Sequence, residues 1–315
     1  MLRLALGRAV QGLVVLFLVS LVVFLLVNLA PGGPGALMRM DVTADQREAL
    51  ARRLGLDRPL LVRYGEWLLD AARGDLGTSL SSNEPVAFRI AQRLPNTLLL
   101  TAVALGASVL VGIPMGVLAA LRRGSAADLV LALFSILGVS IPAFWLGIML
   151  ILTFSVNLHW LPSSGLATTG QEGDPGDRLL HLLLPALVLA TTVLPYVVRF
   201  TRSSLLEVLG QDYVRTATAK GLARAQVVYA HALRNALVPV VSVTGSLVPR
   251  LVGGAVVTEA VFGWPGMGRL AVEAANGRDY PLIVGITVVV AGLVVLTTFL
   301  VDLTYTWLDP RIRLT

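Results

Sequence analysis

The chain has 315 residues, of which 56% are hydrophobic and only 14% charged, with mean hydropathy +0.79 and net charge +6. A soluble domain is nearer a quarter charged, so the composition describes a polytopic membrane protein and excludes a soluble globular enzyme. There are no cysteines, which excludes disulfides and thiolate metal sites. His159, His181 and His231 are scattered and form no HExxH pattern.

Residues 9–29 are a nearly unbroken apolar run flanked by Arg3 and Arg8, long enough to span the hydrocarbon core. The run is too long for a signal peptide and no small-x-small cleavage pattern follows, so residues 1–30 are expected to form a first span with its N-terminus inside. Pro31 and Pro34 stop it. Residues 31–95 turn polar, with helical stretches expected near 44–54 and 60–72 and breaks at Gly74, Gly77 and Pro85. A segment this long is too long for a bare loop, and a small helical subdomain on the outer face is expected. It either docks a partner or caps the bundle.

Residues 96–308 hold five further apolar runs. Span two is expected over about 96–121. Span three runs over about 128–157, tilted or broken near Pro142. Span four covers about 181–200, span five 237–258 and span six 281–307. Trp160 is expected at an interface. The short segments assigned inside carry Arg122, Arg123, Arg199, Arg202, Arg215, Lys220, Arg224, Arg234, Arg311 and Arg313 against few acids, while charges on the other side nearly cancel. Six transmembrane helices with both termini cytoplasmic, ending in a tail at 309–315, satisfy the positive-inside rule. No inverted internal repeat of the secondary-transporter kind is evident.

Residues 212–239 form a polar, cation-rich island between two of these runs. Its pattern predicts two short helices. Ser203 or Ser204 caps the first, whose apolar positions include Leu205, Leu209, Tyr213, Val214 and Ala217, and Gly221 stops it. The second covers about 224–235, and Pro239 lies in the span that follows. An ordinary cytoplasmic loop explains the cations equally well. The only lysine is Lys220, preceded by Ala219, so the chain has no Walker A motif and would need another chain to bind ATP. Arg250, near mid-span, costs roughly 2.5–3.5 kcal/mol against lipid. It is expected either to line a translocation path together with Glu259 or to snorkel outward toward Glu259.

Taken in order, these segments resemble a family. Ala30-Pro-Gly32, Leu54-Gly-Leu-Asp-Arg-Pro59, Gly74-Asp-Leu-Gly77 and Leu94-Pro-Asn-Thr-Leu98 come first. Gly112-Ile-Pro-Met-Gly116, Ser140-Ile-Pro-Ala-Phe-Trp145 and Trp160-Leu-Pro162 follow. Then come Asp212-Tyr-Val-Arg-Thr216, Ala219-Lys-Gly-Leu222, His231-Ala-Leu-Arg-Asn-Ala-Leu237 and Glu259-Ala-Val-Phe-Gly-Trp-Pro-Gly-Met-Gly268. Together they resemble the first-type permease subunit of bacterial dipeptide/oligopeptide ABC transporters, over nearly the whole length. The chain departs from that pattern at Thr218, where the family commonly has arginine, and at Gly33, where it has aspartate.

The resemblance implies an all-α integral membrane protein of type I ABC importer architecture in the bacterial inner membrane. It is a permease rather than an enzyme and binds no cofactor or metal itself. ATP and Mg would sit on two partner ATPases, and the other partners would be a second homologous permease, an extracytoplasmic binding protein and a peptide substrate, with no nucleic acid. The loop at 201–236 would couple to the ATPases through Asp212, Tyr213, Val214, Arg215, Ala219, Lys220, Gly221, Arg224, His231, Arg234 and Asn235. Tyr213 and Val214, expected to be buried, would hold the contact. Nickel chelates or glutathione are alternative cargoes, and an ATP-independent secondary transporter is the reading from another class.

Overall fold

In the computed structural model, residues 2–29 and 58–308 are described, with the side chains of 2–5 and 304–308 left aside. The helix expected near 44–54, Gly33 and the tail at 309–315 lie outside the described residues. The regular elements described are helices: α1 (Leu2–Leu29), α2 (Leu60–Ala72), α3 (Val86–Leu121), α4 (Ala126–Ser140), α5 (Ala143–Asn157), α6 (Pro175–Thr191), α7 (Leu194–Leu209), α8 (Asp212–Ala219), α9 (Arg224–Ser246), α10 (Val248–Val261), α11 (Met267–Asn276) and α12 (Tyr280–Leu308).

Among the described residues, α1, α3, α9 and α12 are each long and apolar enough to cross a membrane. The pairs α4–α5 and α6–α7 qualify as two more spans if each is taken as one broken helix, bent by 101° and 51°. Each break has a local cause. Ile141 has extended backbone, as the residue before a proline prefers, and Pro142 restarts the chain as α5. Pro195 lies in the first turn of α7, where its missing N–H costs nothing. α5 ends in π-helical turns at Ile151–Asn157, and α9 contains such turns at Val227–Ala232.

Several boundaries differ from the sequence expectation: span four, expected over about 181–200, is the broken pair Pro175–Thr191 and Leu194–Leu209, and the short helix expected over about 224–235 runs on without a stop into span five as α9. α3 begins ten residues before Asn96 and runs through Pro95, the boundary expected from the sequence. Span five divides: α9 ends at Ser246 and α10 begins at Val248, with Pro249 in its first turn. Ser203 and Ser204 do not cap a helix but lie inside α7, and Ser204 donates to Ala236 O at 2.8 Å. Ala236 is the neighbour of Asn235, the residue whose carbonyl Pro239 leaves unbonded inside α9.

Contacts divide the chain into two units, one holding residues 96–268 and 297–315, the other residues 2–95 and 269–296. In the first unit α3 and α7 approach closely because Gly112 and Gly116 lie one turn apart. A Cβ at Gly116 would stand 2.5 Å from Thr201 Cβ and 2.7 Å from the Val198 carbonyl oxygen. Small residues four apart are a common device for bringing apolar helices together in lipid. Leu100, Ala104, Leu189, Val193, Val197, Leu251 and Trp264 form the buried core there.

In the second unit Tyr64 of α2 is buried against α1. Its ring lies 5.5 Å from Phe24 and 6.1 Å from Phe17, and its hydroxyl bonds to Ser20 at 2.9 Å. Asp279, fully buried just before α12, ties down the loop at 79–81. It accepts from both hydroxyls of Ser79 and Ser81 and from the backbone N–H groups of Leu80 and Ser81. Burial pushes its carboxyl upward, but these four donors outweigh burial and hold it below the usual carboxylate range.

Candidate functional site

Two sequence-marked regions lie in the first unit, and they are built in opposite ways. The first is the island. α7 continues straight out of the apolar region to Leu209, and the chain turns at Gly210 and Gln211 into α8. Gly221 holds φ +79° with open space around it, so it is chosen for backbone freedom rather than for close packing. The chain then reverses into α9.

The inner side of this hairpin is apolar. Val214, Val227, Ala232 and Ala236 are buried with Leu205 of α7 and with Val117 and Ala120 of α3. The other side is polar. Arg215, Ala219, Lys220, Gly221, Arg224, His231, Arg234 and Asn235 are all exposed. Arg215 reaches only Asp212, at 3.4 Å, and Asp212 is 96% exposed. Such a pair contributes almost nothing to folding.

One expectation is corrected here. Val214 is 4% exposed and belongs to the chain's own core, so it holds the hairpin together instead of meeting a partner. Tyr213 is not buried but 43% exposed, and its hydroxyl accepts from Asn235 Nδ2 at 2.8 Å. The amphipathic spacing placed one of this neighbouring pair inside and the other outside, as a helix must.

The second region joins Leu94-Pro-Asn-Thr-Leu98 to the stretch from Glu259 to Gly268. Glu259, in the last turn of α10, is fully buried. It accepts from Thr97 Oγ1 and from the Gly268 N–H, each at 2.6 Å. Thr97 in turn accepts from the Met267 N–H at 2.8 Å. Asn96 donates to Pro265 O at 2.8 Å and receives Trp264 Nε1 on its own carbonyl at 3.1 Å.

The glycines of this stretch are required by contact. A Cβ at Gly266 would fall 2.2 Å from Glu259 Oε1, and one at Gly268 would fall 2.3 Å from Val256 Cα. Glu259 is therefore enclosed as a hydrogen-bond hub within this unit. A buried carboxylate is tolerable only with such donors.

Arg250 falls in the first turn of α10, after the break at Leu247, rather than inside an unbroken span. Its guanidinium carbon lies 4.9 Å from the centre of the Tyr196 ring, a cation–π contact. Glu259 is nine residues further along the same helix, about 13 Å away by helical rise. Arg250 and Glu259, paired in the sequence expectation, are thus in separate environments.

The sequence reading also passed over an ion pair. Asp128 of α4 receives Arg202 of α7 in two parallel bonds of 2.7 and 2.8 Å and also the Gly124 N–H at 3.0 Å. Arg202 enters the sequence analysis only as an inner-side charge, and nothing in the spacing of 74 positions marks it and Asp128 as partners.

Residues 112–314 match the family described as "Binding-protein-dependent transport system inner membrane component", and residues 1–101 match its N-terminal segment family. The chain is 43% identical to the oligopeptide transport system permease protein AppB of Bacillus subtilis, covering 97% of this chain and 98% of that one. It is 41% identical to the dipeptide transport system permease protein DppB of Escherichia coli, over 94% of each. Among solved structures, an inward-facing methionine ABC transporter, MetNI, aligns with TM-score 0.57 at 21% identity, covering 70% of this chain and 97% of that chain. An amino acid ABC transporter aligns with TM-score 0.51 at 17% identity. These two show a shared fold. The helical architecture with its broken spans and the family match over most of the chain lead to one conclusion: the chain belongs to the inner-membrane permease components of binding-protein-dependent transport systems.

Proposed function

We propose that this chain is one of two permease subunits of an ATP-driven importer of di- and oligopeptides, with the hairpin at 201–236 as its contact to cytoplasmic ATPases. The observation that carries the reading is the hairpin itself. It is a short helix, a left-handed glycine and a returning helix, with an apolar side locked to α3 and α7 and an outer side set with Arg215, Lys220, Arg224 and Arg234. A plain connecting loop has no need of a folded core.

Because α8 is packed on the inner ends of two long helices, a push on its outer face is transmitted to them as rigid-body movement. The outer cations would pair with acids on the ATPase, each pair contributing about 0.2–1 kcal/mol. Tyr213, exposed beside them, offers the larger contact area. The peptide cargo follows from the names of the relatives similar over nearly their full length. ATP and Mg would be held on the partner ATPases and peptide delivered by an extracytoplasmic binding protein, with the hairpin and both termini on the cytoplasmic side.

The test is to purify the chain with the proteins encoded beside it and to measure ATP hydrolysis in proteoliposomes. Hydrolysis that rises on adding binding protein loaded with dipeptide supports the reading. A complex that forms but responds to no peptide overturns the cargo. A chain that purifies alone and moves substrate on an ion gradient overturns the machine.

A further inference from the structure

Between α4 and α7 lies a groove of about 970 Å³ that extends from Gly124 and Ser125 to Ser140. The fifteen residues of α4 span about 22 Å by helical rise, more than half the ~30 Å hydrocarbon core. The walls are largely apolar, with Leu129, Ile136 and Val139 of α4 all strongly exposed. The charged lining residues, Asp128, Arg199 and Arg202, lie toward the Gly124 end, and at the other end the Arg250 guanidinium stands over the ring of Tyr196 without itself lining the groove.

Asp128 and Arg202 satisfy each other through their paired bonds. Arg199 is exposed and makes no ion pair among the described residues. Arg122 and Arg123 stand exposed immediately before Gly124.

We infer that this groove is a site for an anionic phospholipid of the inner leaflet, with its phosphate at Arg199 and an acyl chain along the seam between α4 and α7. Two physical arguments select this occupant. The first is the polarity gradient: one cationic end and an apolar length match a headgroup and a tail, and basic pockets between helices on the cytoplasmic side suit acidic headgroups. A guanidinium also matches phosphate geometry with two parallel bonds.

The second argument is hydrogen bonding along the wall. Ser135 and Ser140 donate their hydroxyls to the carbonyls of Leu131 and Ile136, at 2.8 and 2.9 Å, so neither is left to donate to a peptide carbonyl. A bound peptide brings one N–H and one C=O per residue. A carbonyl left unpaired in such a groove would weigh against binding. An acyl chain asks for no partner. The site would rest against α7, the helix that leads directly into the hairpin, and so would load the same element that the ATPase contact moves.

The inference does not depend on the peptide cargo. It is tested on the whole transporter complex, delipidated in detergent, by native mass spectrometry with phosphatidylglycerol or phosphatidylcholine of identical chains. Wild type is expected to retain phosphatidylglycerol at least threefold better, and Arg199→Gln is expected to bring the two lipids level. Equal retention on wild type, or an undiminished preference in Arg199→Gln, overturns the assignment.

Because the chain has no cysteine, Ala132→Cys places a single reporter in the groove wall. Its reaction with a maleimide should slow severalfold on adding phosphatidylglycerol and remain unchanged with glycerophosphoglycerol, the headgroup without tails. Protection by the headgroup alone would mean an anion site without an acyl groove and would sink the proposal. So would protection by peptide, or cross-linking of this cysteine to the second permease.

Discussion

The hairpin at 201–236 and the hub around Glu259 make an instructive pair. Both interrupt an apolar chain with polar residues and glycines. Their physics is opposite. The hairpin spends its apolar side chains inward on Val117, Leu205 and Val227 and leaves its cations in solvent. The hub spends its charge inward, with a fully buried Glu259 taking hydrogen bonds from Thr97 and Gly268. Gly221 stands in open space and is needed for its positive φ, whereas Gly266 and Gly268 are needed because nothing larger fits. Exposed charge is inexpensive to change and free to serve a partner, while enclosed charge is expensive to change and serves the fold.

The comparison predicts a ranking of substitutions. Gly268→Ala should act most strongly, because the added Cβ meets the Val256 backbone, which cannot rotate away. Overpacking of this kind costs about 1–3 kcal/mol and sometimes more. The outcome should be a lowered thermal midpoint and reduced folded yield in detergent. A wild-type midpoint for Gly268→Ala would break the comparison at its firmest point.

Glu259→Ala should act about as strongly, since it strands the Thr97 hydroxyl and the Gly268 N–H without their acceptor. A buried donor without a partner costs about 1–3 kcal/mol. Peptide-stimulated ATP hydrolysis should fall together with folded yield, since the loss is structural. A variant that folded normally but had lost transport would instead place Glu259 in the path.

Gly221→Val should spare the thermal midpoint more than either, with a left-handed penalty of about 1–2 kcal/mol confined to the hairpin. It should uncouple hydrolysis from binding protein. Arg224→Gln should have the smallest effect of the four, at about 0.2–1 kcal/mol of ATPase binding, diminishing further at high salt. If Arg224→Gln abolished complex formation at physiological salt, the outer face would be a buried contact and the contrast would need redrawing.

A second enclosed carboxylate sharpens the same contrast through pH. Asp279 is held below its ordinary range in the folded protein. Its contribution to stability is therefore complete above the unfolded value of about 3.9 and is lost as pH falls through the lower, folded value. Thermal unfolding of wild type should lose stability below about pH 4 by this route. Asp279→Asn should flatten that dependence at the cost of a lower midpoint at neutral pH. Parallel acid profiles for the two proteins would show that Asp279 is not the titrating group.

Much of the architecture was legible. The apolar runs, the polar island and the turn at Gly221 are local properties, decided by hydropathy over twenty residues or by one backbone angle. The break near Pro142 is visible for the same reason, because a proline acts on its own neighbours, whereas span four was expected unbroken and Pro185 and Pro195 do not themselves say which of them interrupts it. Proline did not announce that span five would divide at Leu247, since Pro239 sits inside α9 while Pro249 opens α10. The same residue is tolerated or used as a start according to what its carbonyl neighbours find to bond.

The partnerships were not legible. Thr97 and Glu259 are 162 positions apart, and Asp128 and Arg202 are 74 apart. A hydrogen bond between such groups depends on how whole helices pack, and packing is chosen by shape at sites such as Gly112 and Gly116. Composition and periodicity by themselves determined that this chain lives in a membrane, where its helices run and which segment carries exposed cations. The tertiary structure decided which charges are buried and paired and which are left free, because burial of a charge is a property of everything that surrounds it.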